Sequence, residues 1–233
     1  MKWQVQVQQR LGHAGSVFEL DIAFQSDAQR LVLFGPSGAG KTQTLMMMAG
    51  LNTPSQGRVV FQDQVVFDSQ QSVNLAARQR GLGYVFQDYA LFPHLTVRQN
   101  IGFALKQGLQ NPSQALEDSS VAHWTQVFQL QAVSELYPEQ LSGGQRQRTA
   151  LARALVAKPR ALLLDEPFAA MDRPLRQRLR EELLQLQKEL ALPMVLITHD
   201  EEDVKAFAEE VIHIQQGRVV SDSNPYVAAA HLS

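Results

Sequence analysis

The chain has 233 residues, of which 45% are hydrophobic and 19% are charged, and its formal net charge is −2. This composition is typical of a globular domain with a substantial core, and the charge gives no sign of the basic surface that binds nucleic-acid phosphates. The chain contains no cysteine, which excludes disulfide bonds and thiolate metal sites. No apolar stretch approaches the roughly 20 residues needed to span a bilayer. If the function involves a membrane, we expect another chain to cross it.

The first part of the chain alternates apolar and polar residues, which predicts half-buried antiparallel strands and not a signal peptide. The predicted strands lie at residues 3–7, 18–24, 31–34 and 83–87, with two more within residues 58–67. Residues 31–34 are a continuous apolar run, as expected of a strand buried on both faces. Residues 43–49 are good helix formers closed by Gly50, and they predict the first helix.

From residue 88 to about residue 157 the pattern changes to helices joined by loops. Thr96 and Gln99 form a capping box, Asn111 opens a second helical stretch, and a third helix is predicted to begin just after Gly144. Farther on, strands are predicted at residues 161–164, 194–197, 211–214 and 218–220, and helices at about 174–190 and 201–208. We therefore expect one domain over residues 1–233. Residues 1–87 and 158–233 would form an α/β core with an antiparallel β part, and residues 88–157 a helical subdomain.

A glycine-rich loop follows the buried run 31–34 and precedes the first helix. It fits the pattern G-x-x-x-x-G-K-[ST] and consists of Gly35, Pro36, Ser37, Gly38, Ala39, Gly40, Lys41 and Thr42. Strand, glycine loop and helix are the context of a phosphate-binding P-loop, in which backbone N–H groups and the helix N-terminus surround an anion. Lys41 would reach the terminal phosphates of a nucleotide, and Thr42 would offer its hydroxyl to Mg²⁺. The alternative is a turn that binds nothing, but the complete motif and its flanks favour a nucleotide site.

Polar residues stand at the ends of two later apolar strands. Asp165 and Glu166 follow the run 161–164, and His199 follows the run 194–197. In a P-loop fold Asp165 would lie near the metal, and Glu166 could orient or deprotonate a water that attacks the γ-phosphate. His199 would lie at the same sheet edge as the γ-phosphate. Each residue alone has an ordinary alternative, a solvated strand end or a hydrogen-bonded structural histidine.

A second anion cradle is predicted at the start of the third helix, where Ser142, Gly143, Gly144 and Gln145 follow Leu141. One chain with one nucleotide should not need two cradles in different lobes, so we expect the second to serve a nucleotide held by another subunit. Leu141 to Gln145 resembles the signature of ATP-binding cassette (ABC) ATPases. By this resemblance residues 35–42 look like the Walker A motif, Asp165 and Glu166 like Walker B, Gln87 like the Q-loop and His199 like the switch histidine.

The resemblance implies an ABC ATPase fold, the ligands ATP and Mg²⁺, and a dimer that sandwiches two ATP molecules head to tail. Gln87 would touch Mg²⁺ and the attacking water. Residues 87–95 would accept transmembrane permease subunits, although the apolar part of this segment could also be a loop of the lobe core. A solute-binding protein would take part indirectly, and no nucleic acid is expected. The chain would then be peripheral, on the cytoplasmic face of the cell membrane.

Residues 80–94 resemble importer ATPases, especially those for molybdate and related oxyanions. Some of these carry a C-terminal oxyanion-binding domain, which is not expected after the last predicted strand. Two alternatives are disfavoured: a non-transport ABC ATPase that acts on nucleic acid or ribosomes, and an exporter subunit. A binding module without hydrolysis is disfavoured by Glu166.

Two features depart from the family pattern. Ala169 stands where the D-loop, which ends at Asp172, commonly begins with serine. The aromatic residue that usually stacks on adenine is missing before the P-loop, so His13 or Phe18 is expected to replace it.

Overall fold

The apolar runs of the sequence form the strands of one mixed sheet. The computed structural model describes residues 2–13, 16–105, 119–169 and 171–220. Within these ranges the strands are β1 Trp3–His13, β2 Ser16–Ser26, β3 Arg30–Phe34, β4 Gln56–Phe61, β5 Gln64–Asp68, β6 Val73–Asn74, β7 Leu82–Val85, β8 Ala161–Asp165, β9 Met194–Thr198, β10 Glu210–Gln215 and β11 Arg218–Val220. The helices are α1 Lys41–Ala49, α2 Ala77–Arg80, α3 Val97–Gly102, α4 Ser119–Val127, α5 Gly143–Val156, α6 Arg173–Leu190 and α7 Glu201–Phe207.

The strand order explains how distant parts of the sequence meet. The described strands are ordered β6-β5-β4-β1-β2-β11-β10-β3-β9-β8-β7. From β10 to β7 all neighbours are parallel. The strands β1, β2, β4, β5 and β6 pair with one another in antiparallel fashion, and β2 also pairs in parallel with β11. Since the carboxyl ends of parallel strands meet at one sheet edge, the residues that follow β3, β8 and β9 are neighbours. The residue pairing at these strand ends shows this directly, since Phe34 pairs with Thr198 and Asp165 pairs with Ile197.

Each central strand contributes to two hydrophobic clusters, one on each face of the sheet. Leu31, Leu33 and Leu163 pack into the cluster that contains α1 and the antiparallel strands. Val32 and Leu164, whose side chains point to the opposite face, pack into the cluster beneath α5 and α6. Burial on both faces explains why these strands are continuous apolar runs.

Most predicted elements are confirmed within a residue or two, but β1, predicted at residues 3–7, continues to His13. The antiparallel start of the chain and the capping box of Thr96 with Gln99 both appear. The last two predicted strands pair with each other as an antiparallel hairpin. The strand predicted at 83–87 ends earlier, at Val85, and Gln87 lies in the following turn. The short elements β6 and α2 and the 3₁₀ turns were not predicted, because two to four residues are too few to show a period.

The helical stretch predicted to open at Asn111 begins outside the described residues, and α4 covers its later part. The division of the chain at residues 88 and 157 stays a prediction. In the described ranges, none of the helices has both the length and the apolar character needed to cross a membrane.

Candidate nucleotide site

The loop between β3 and α1 has the conformation that its glycines allow. Gly40 is the N-cap of α1 and has a φ of 101°, a left-handed conformation that suits glycine. Gly35 lies so close to β10 that a Cβ atom would be 2.0 Å from the carbonyl oxygen of Ile214. Pro36, Ser37 and Gly38 are exposed. The loop therefore opens toward solvent at a helix N-terminus, the arrangement that binds phosphate.

Lys41 is buried against this loop. Its Nζ atom donates to the carbonyl oxygens of Gly35 at 2.7 Å and Pro36 at 2.9 Å, and it lies 3.9 Å from Oε1 of Glu166. Burial lowers the pKa of Lys41, and the nearby carboxylates of Glu166 and Asp165 oppose that shift. The side chain thus supplies positive charge at the point where the loop meets the carboxylates.

Asp165 ends β8 with both of its carboxylate oxygens hydrogen-bonded. The Thr42 hydroxyl donates to Oδ1 at 3.0 Å, and the Tyr84 hydroxyl donates to Oδ2 at 3.2 Å. Burial raises the pKa of Asp165, and the two hydrogen bonds act against this rise. Burial and the charge of Asp165 also raise the pKa of Tyr84, which keeps its phenol protonated and able to donate.

The oxygens of Thr42 and Asp165 form a donor set that fits Mg²⁺. Both are hard ligands, and Mg²⁺ is usually held by one or two carboxylates together with substrate phosphates. Among the described side chains, no group of three histidines or carboxylates is arranged to hold a metal without other ligands. A nucleotide at the adjacent loop would supply the remaining oxygens.

Glu166 lies between Lys41 and His199. Nδ1 of His199 is 3.2 Å from Oε2 of Glu166, and His199 is half exposed. The backbone of Glu166 has a φ of 43°, uncommon for a residue with a side chain, and its N–H donates to the carbonyl oxygen of Ile197 at 3.1 Å. Such strained conformations cluster at functional sites.

Two arginines of α6 bind the carboxylates that follow His199 in the chain. Asp200 accepts hydrogen bonds from Arg176 at 2.8 Å and Arg180 at 2.9 Å, and Arg176 also donates to the carbonyl oxygen of Met171. Asp203 accepts from Arg180 and from the hydroxyl of Thr198. Sequence reasoning missed this cluster, since it depends on how α6 packs against α7.

At the second predicted cradle, the first turn of α5 is capped by hydrogen bonds between its own residues. The N–H of Gln145 donates to Oγ of Ser142 at 3.3 Å, and the N–H of Ser142 donates to Oε1 of Gln145 at 2.9 Å. Gly144 packs against Leu175 of α6. Within the described ranges these hydrogen bonds stay inside the cradle and do not reach the loop at Gly35–Lys41.

Comparison with protein families matches residues 21–169 to the family described as ABC transporter. The chain belongs to the ABC transporter family. It is 42% identical over 195 residues to the sulfate/thiosulfate import ATP-binding protein CysA 2 of Agrobacterium fabrum, covering 84% of this chain and 55% of that one. It is 43% identical over 193 residues to the CysA sulfate/thiosulfate import protein of Synechocystis, covering 83% of this chain and 52% of that one. The chain thus spans about half the length of these relatives.

The fold is the ABC ATPase fold. The dimeric structure of the ATP-binding cassette MJ0796 bound to ADP and Pi matches with a TM-score of 0.79 and 25% identity, over 96% of this chain and 98% of that chain. The relatives are named for sulfate and thiosulfate import, and not for molybdate. The predicted resemblance to the molybdate type is therefore not supported, whereas the resemblance to ABC importers of oxyanions is.

The candidate Q-loop of this ABC chain lies just beyond the end of β7. Gln87 is exposed in the turn that follows this strand. Beyond it Tyr89 and Ala90 have φ values of 65° and 42°, and Arg153 of α5 donates to both of their carbonyl oxygens at 2.7 Å. The Arg153 guanidinium also stands over the ring of Phe92, 5.6 Å from its centroid. Arg153, which sequence reasoning missed, thus ties the helix of the second cradle to the segment after Gln87.

The segment proposed to meet a permease is half-buried. Phe92 lies against Phe103, with ring centroids 4.2 Å apart, and its N–H donates to the Asn100 side chain at 2.9 Å. Leu91 packs against the hydrophobic cluster beneath α5 and α6. Both predicted interpretations, a docking surface and a part of the lobe core, therefore have support.

The structure describes some of the residues at the two points where the sequence departs from the ABC pattern. Phe18 lies beside the phosphate loop, since a Cβ atom on Gly40 would be 3.5 Å from its ring. The side chain of His13 lies outside the described residues. In the D-loop Ala169 is exposed and Ala170 lies outside the described residues, while Asp172 caps α6 by accepting from the N–H of Leu175 at 2.9 Å.

Proposed function

We propose that the chain is the ATP-hydrolysing subunit of an ABC importer for a tetrahedral oxyanion. One observation carries this proposal: Lys41, Asp165, Glu166 and His199 meet at the edge of the sheet next to a phosphate-binding loop. A structural ion-pair cluster would not need the loop, and a phosphate-binding module would not need Glu166 beside His199.

The proposed chemistry assigns one role to each side chain. Lys41 and the loop N–H groups would hold the β- and γ-phosphates, and Thr42 and Asp165 would hold Mg²⁺, which would offset phosphate charge when bound. Glu166 would orient or deprotonate the attacking water, and His199, in contact with Glu166, would face the γ-phosphate. Gln87 is proposed to join this site when the permease is docked.

The proposed assembly has two copies of the chain. Ser142–Gln145 of one copy would complete the nucleotide site of the other, which explains a cradle without contacts to its own phosphate loop. The similar MJ0796 cassette was solved as a dimer. Permease subunits would dock near residues 87–95, on the cytoplasmic face of the membrane, and a solute-binding protein would deliver the solute to them.

The proposed solute class is supported by the relatives, which are named for sulfate and thiosulfate import. Molybdate, another tetrahedral oxyanion, is the alternative solute. The residues of this site recognise nucleotide and not solute, so the choice among oxyanions belongs to other subunits.

The test has two parts. The purified chain should release phosphate from ATP only with Mg²⁺, and Glu166→Gln should lower this release strongly while ATP still binds. In source cells from which the chain is deleted, uptake of labelled sulfate, thiosulfate and molybdate is then compared with that of cells complemented by the intact chain or by Glu166→Gln. Unchanged uptake of all three anions in the deleted cells would refute oxyanion import, and metal-independent or absent hydrolysis would refute the ATPase.

A further inference from the structure

Tyr84 is a half-buried phenol that makes a polar contact in an otherwise apolar strand. In the parallel register of β7 with β8, Tyr84 pairs with Leu163. Side chains alternate between the faces of a sheet, so Tyr84 shares a face with Leu163 and with Asp165 two positions on. Its hydroxyl reaches Oδ2 of Asp165 at 3.2 Å.

The two hydroxyl groups on Asp165 have separate positions. Thr42 donates to Oδ1 from the start of α1, and Tyr84 donates to Oδ2 from the neighbouring strand. The terminal torsion of an aspartate is broad, so a buried carboxylate needs partners on its oxygens to keep one orientation. With Tyr84 on Oδ2, the orientation of the carboxylate does not depend on Thr42 alone.

We propose that Tyr84 is a positioning residue that orients Asp165 for Mg²⁺ and thereby sets the metal dependence of ATP binding. This role rests on the proposed function of the site. Hydrogen-bond partners of metal ligands commonly change metal affinity or activity by about 10- to 100-fold when they are removed. Tyr84 also stands on the strand that leads into the Gln87 turn, so the same strand carries the Asp165 partner and the candidate Q-loop.

An alternative role for Tyr84 is that of an aromatic core residue. Its ring lies 4.4 Å from that of Phe86, and its side chain packs against the cluster that contains Leu163. Phenylalanine would fill this space equally well. Only the positioning role requires the hydroxyl group. Tyr84→Phe removes this group and keeps the ring, so the variant distinguishes the two roles.

The experiment measures ATP affinity by calorimetry for the intact chain and for Tyr84→Phe, each with excess Mg²⁺ and with EDTA. The ratio of the two affinities reports the contribution of the metal. We expect Tyr84→Phe to lower this ratio about tenfold, with ATP affinity in EDTA and the melting temperature nearly unchanged. A titration of the ATP-bound chain with Mn²⁺, followed by electron paramagnetic resonance, should show the same weakening without any turnover.

Tyr137→Phe is the matched control, because it removes a hydroxyl from an exposed tyrosine. An unchanged ratio in Tyr84→Phe, an equal loss with Mg²⁺ and with EDTA, or the same loss in the control would overturn the positioning role. A collapsed melting temperature would also overturn it and make Tyr84 a core residue. The proposed function would fail separately, if the intact chain bound ATP without any dependence on Mg²⁺.

Discussion

Nδ1 of His199 lies 3.2 Å from Oε2 of Glu166, and this contact joins two strand ends that are distant in the sequence. It leaves the other oxygen of Glu166 facing Lys41 at 3.9 Å. In the proposed mechanism this carboxylate accepts a proton from the attacking water molecule, and an amide in its place would not.

The first prediction is that Glu166→Gln lowers ATP hydrolysis by about 100-fold or more, as expected when a general base is removed. ATP binding should remain, because the phosphate loop and Lys41 are untouched. Phosphate release and equilibrium ATP binding are measured on the same preparation. Turnover close to that of the intact chain would remove Glu166 from this role.

The second prediction is that Lys41→Ala weakens ATP binding by at least about tenfold. A hydrogen bond to a charged group contributes about 1.5–3 kcal/mol, and a buried ammonium next to the phosphates has few competing water molecules. Calorimetric titration with ATP measures the change. Lys188→Ala, at an exposed position near the end of α6, is the control. Equal affinities for the intact and Lys41→Ala chains would show that the loop does not bind nucleotide in the proposed way.

The third prediction concerns Arg153, which holds Tyr89 and Ala90 in left-handed conformations through two hydrogen bonds. Arg153→Met should release this turn, so amide hydrogen exchange at residues 87–92 should accelerate by about tenfold, the result of losing about 1.4 kcal/mol of local stability. Peptide-level exchange with mass spectrometry measures it. Arg178→Met removes an exposed arginine of α6 and should leave this segment unchanged. If exchange at residues 87–92 is the same in both variants, Arg153 does not hold the turn.

The fourth prediction concerns Arg80, which is fully buried. Its guanidinium donates to the carbonyl oxygens of Met47 and Met48 at the end of α1 and to that of Leu75, and burial lowers its pKa to about 10. Arg80→Met should lower the free energy of unfolding by about 2 kcal/mol, because the carbonyl groups of Met48 and Leu75 lose a buried charged donor and that of Met47 keeps only the N–H of Gly50.

Urea denaturation measures this loss, and Arg78→Met on the exposed side of the same helix is the control. Equal stability of the two variants would mean that other donors replace Arg80.

The sequence predicts the sheet edge of the site better than the contacts around it. The strands before Gly35, Asp165 and His199 are buried on both faces, so their apolar runs are unambiguous, and parallel strands bring their carboxyl ends together. The contact of Tyr84 with Asp165 requires knowing that β7 lies beside β8. The contact of Arg153 with Tyr89 requires the packing of α5 against a turn far away in the chain. The local periodicity of the sequence indicates neither of these two contacts.

The last prediction tests whether the cradle at Ser142 serves the nucleotide of a second copy. Two variants are combined: Lys41→Ala damages the phosphate loop, and Ser142→Arg should block the cradle with a bulky side chain. Each homodimer then has two damaged sites and should fail to occlude ATP. In a mixed dimer with head-to-tail pairing, one site collects both defects and the other is intact, whereas pairing within one chain leaves a defect in every site.

We expect purified mixed dimers, carrying a different tag on each chain, to occlude about one ATP per dimer. Occlusion is preferred to hydrolysis as the measurement, since hydrolysis could require both sites to close together. Ser142 contacts Gln145 and not the phosphate loop of its own chain, which favours the head-to-tail outcome. Mixed dimers of confirmed composition that occlude no more ATP than either parent would exclude a site shared between the two copies.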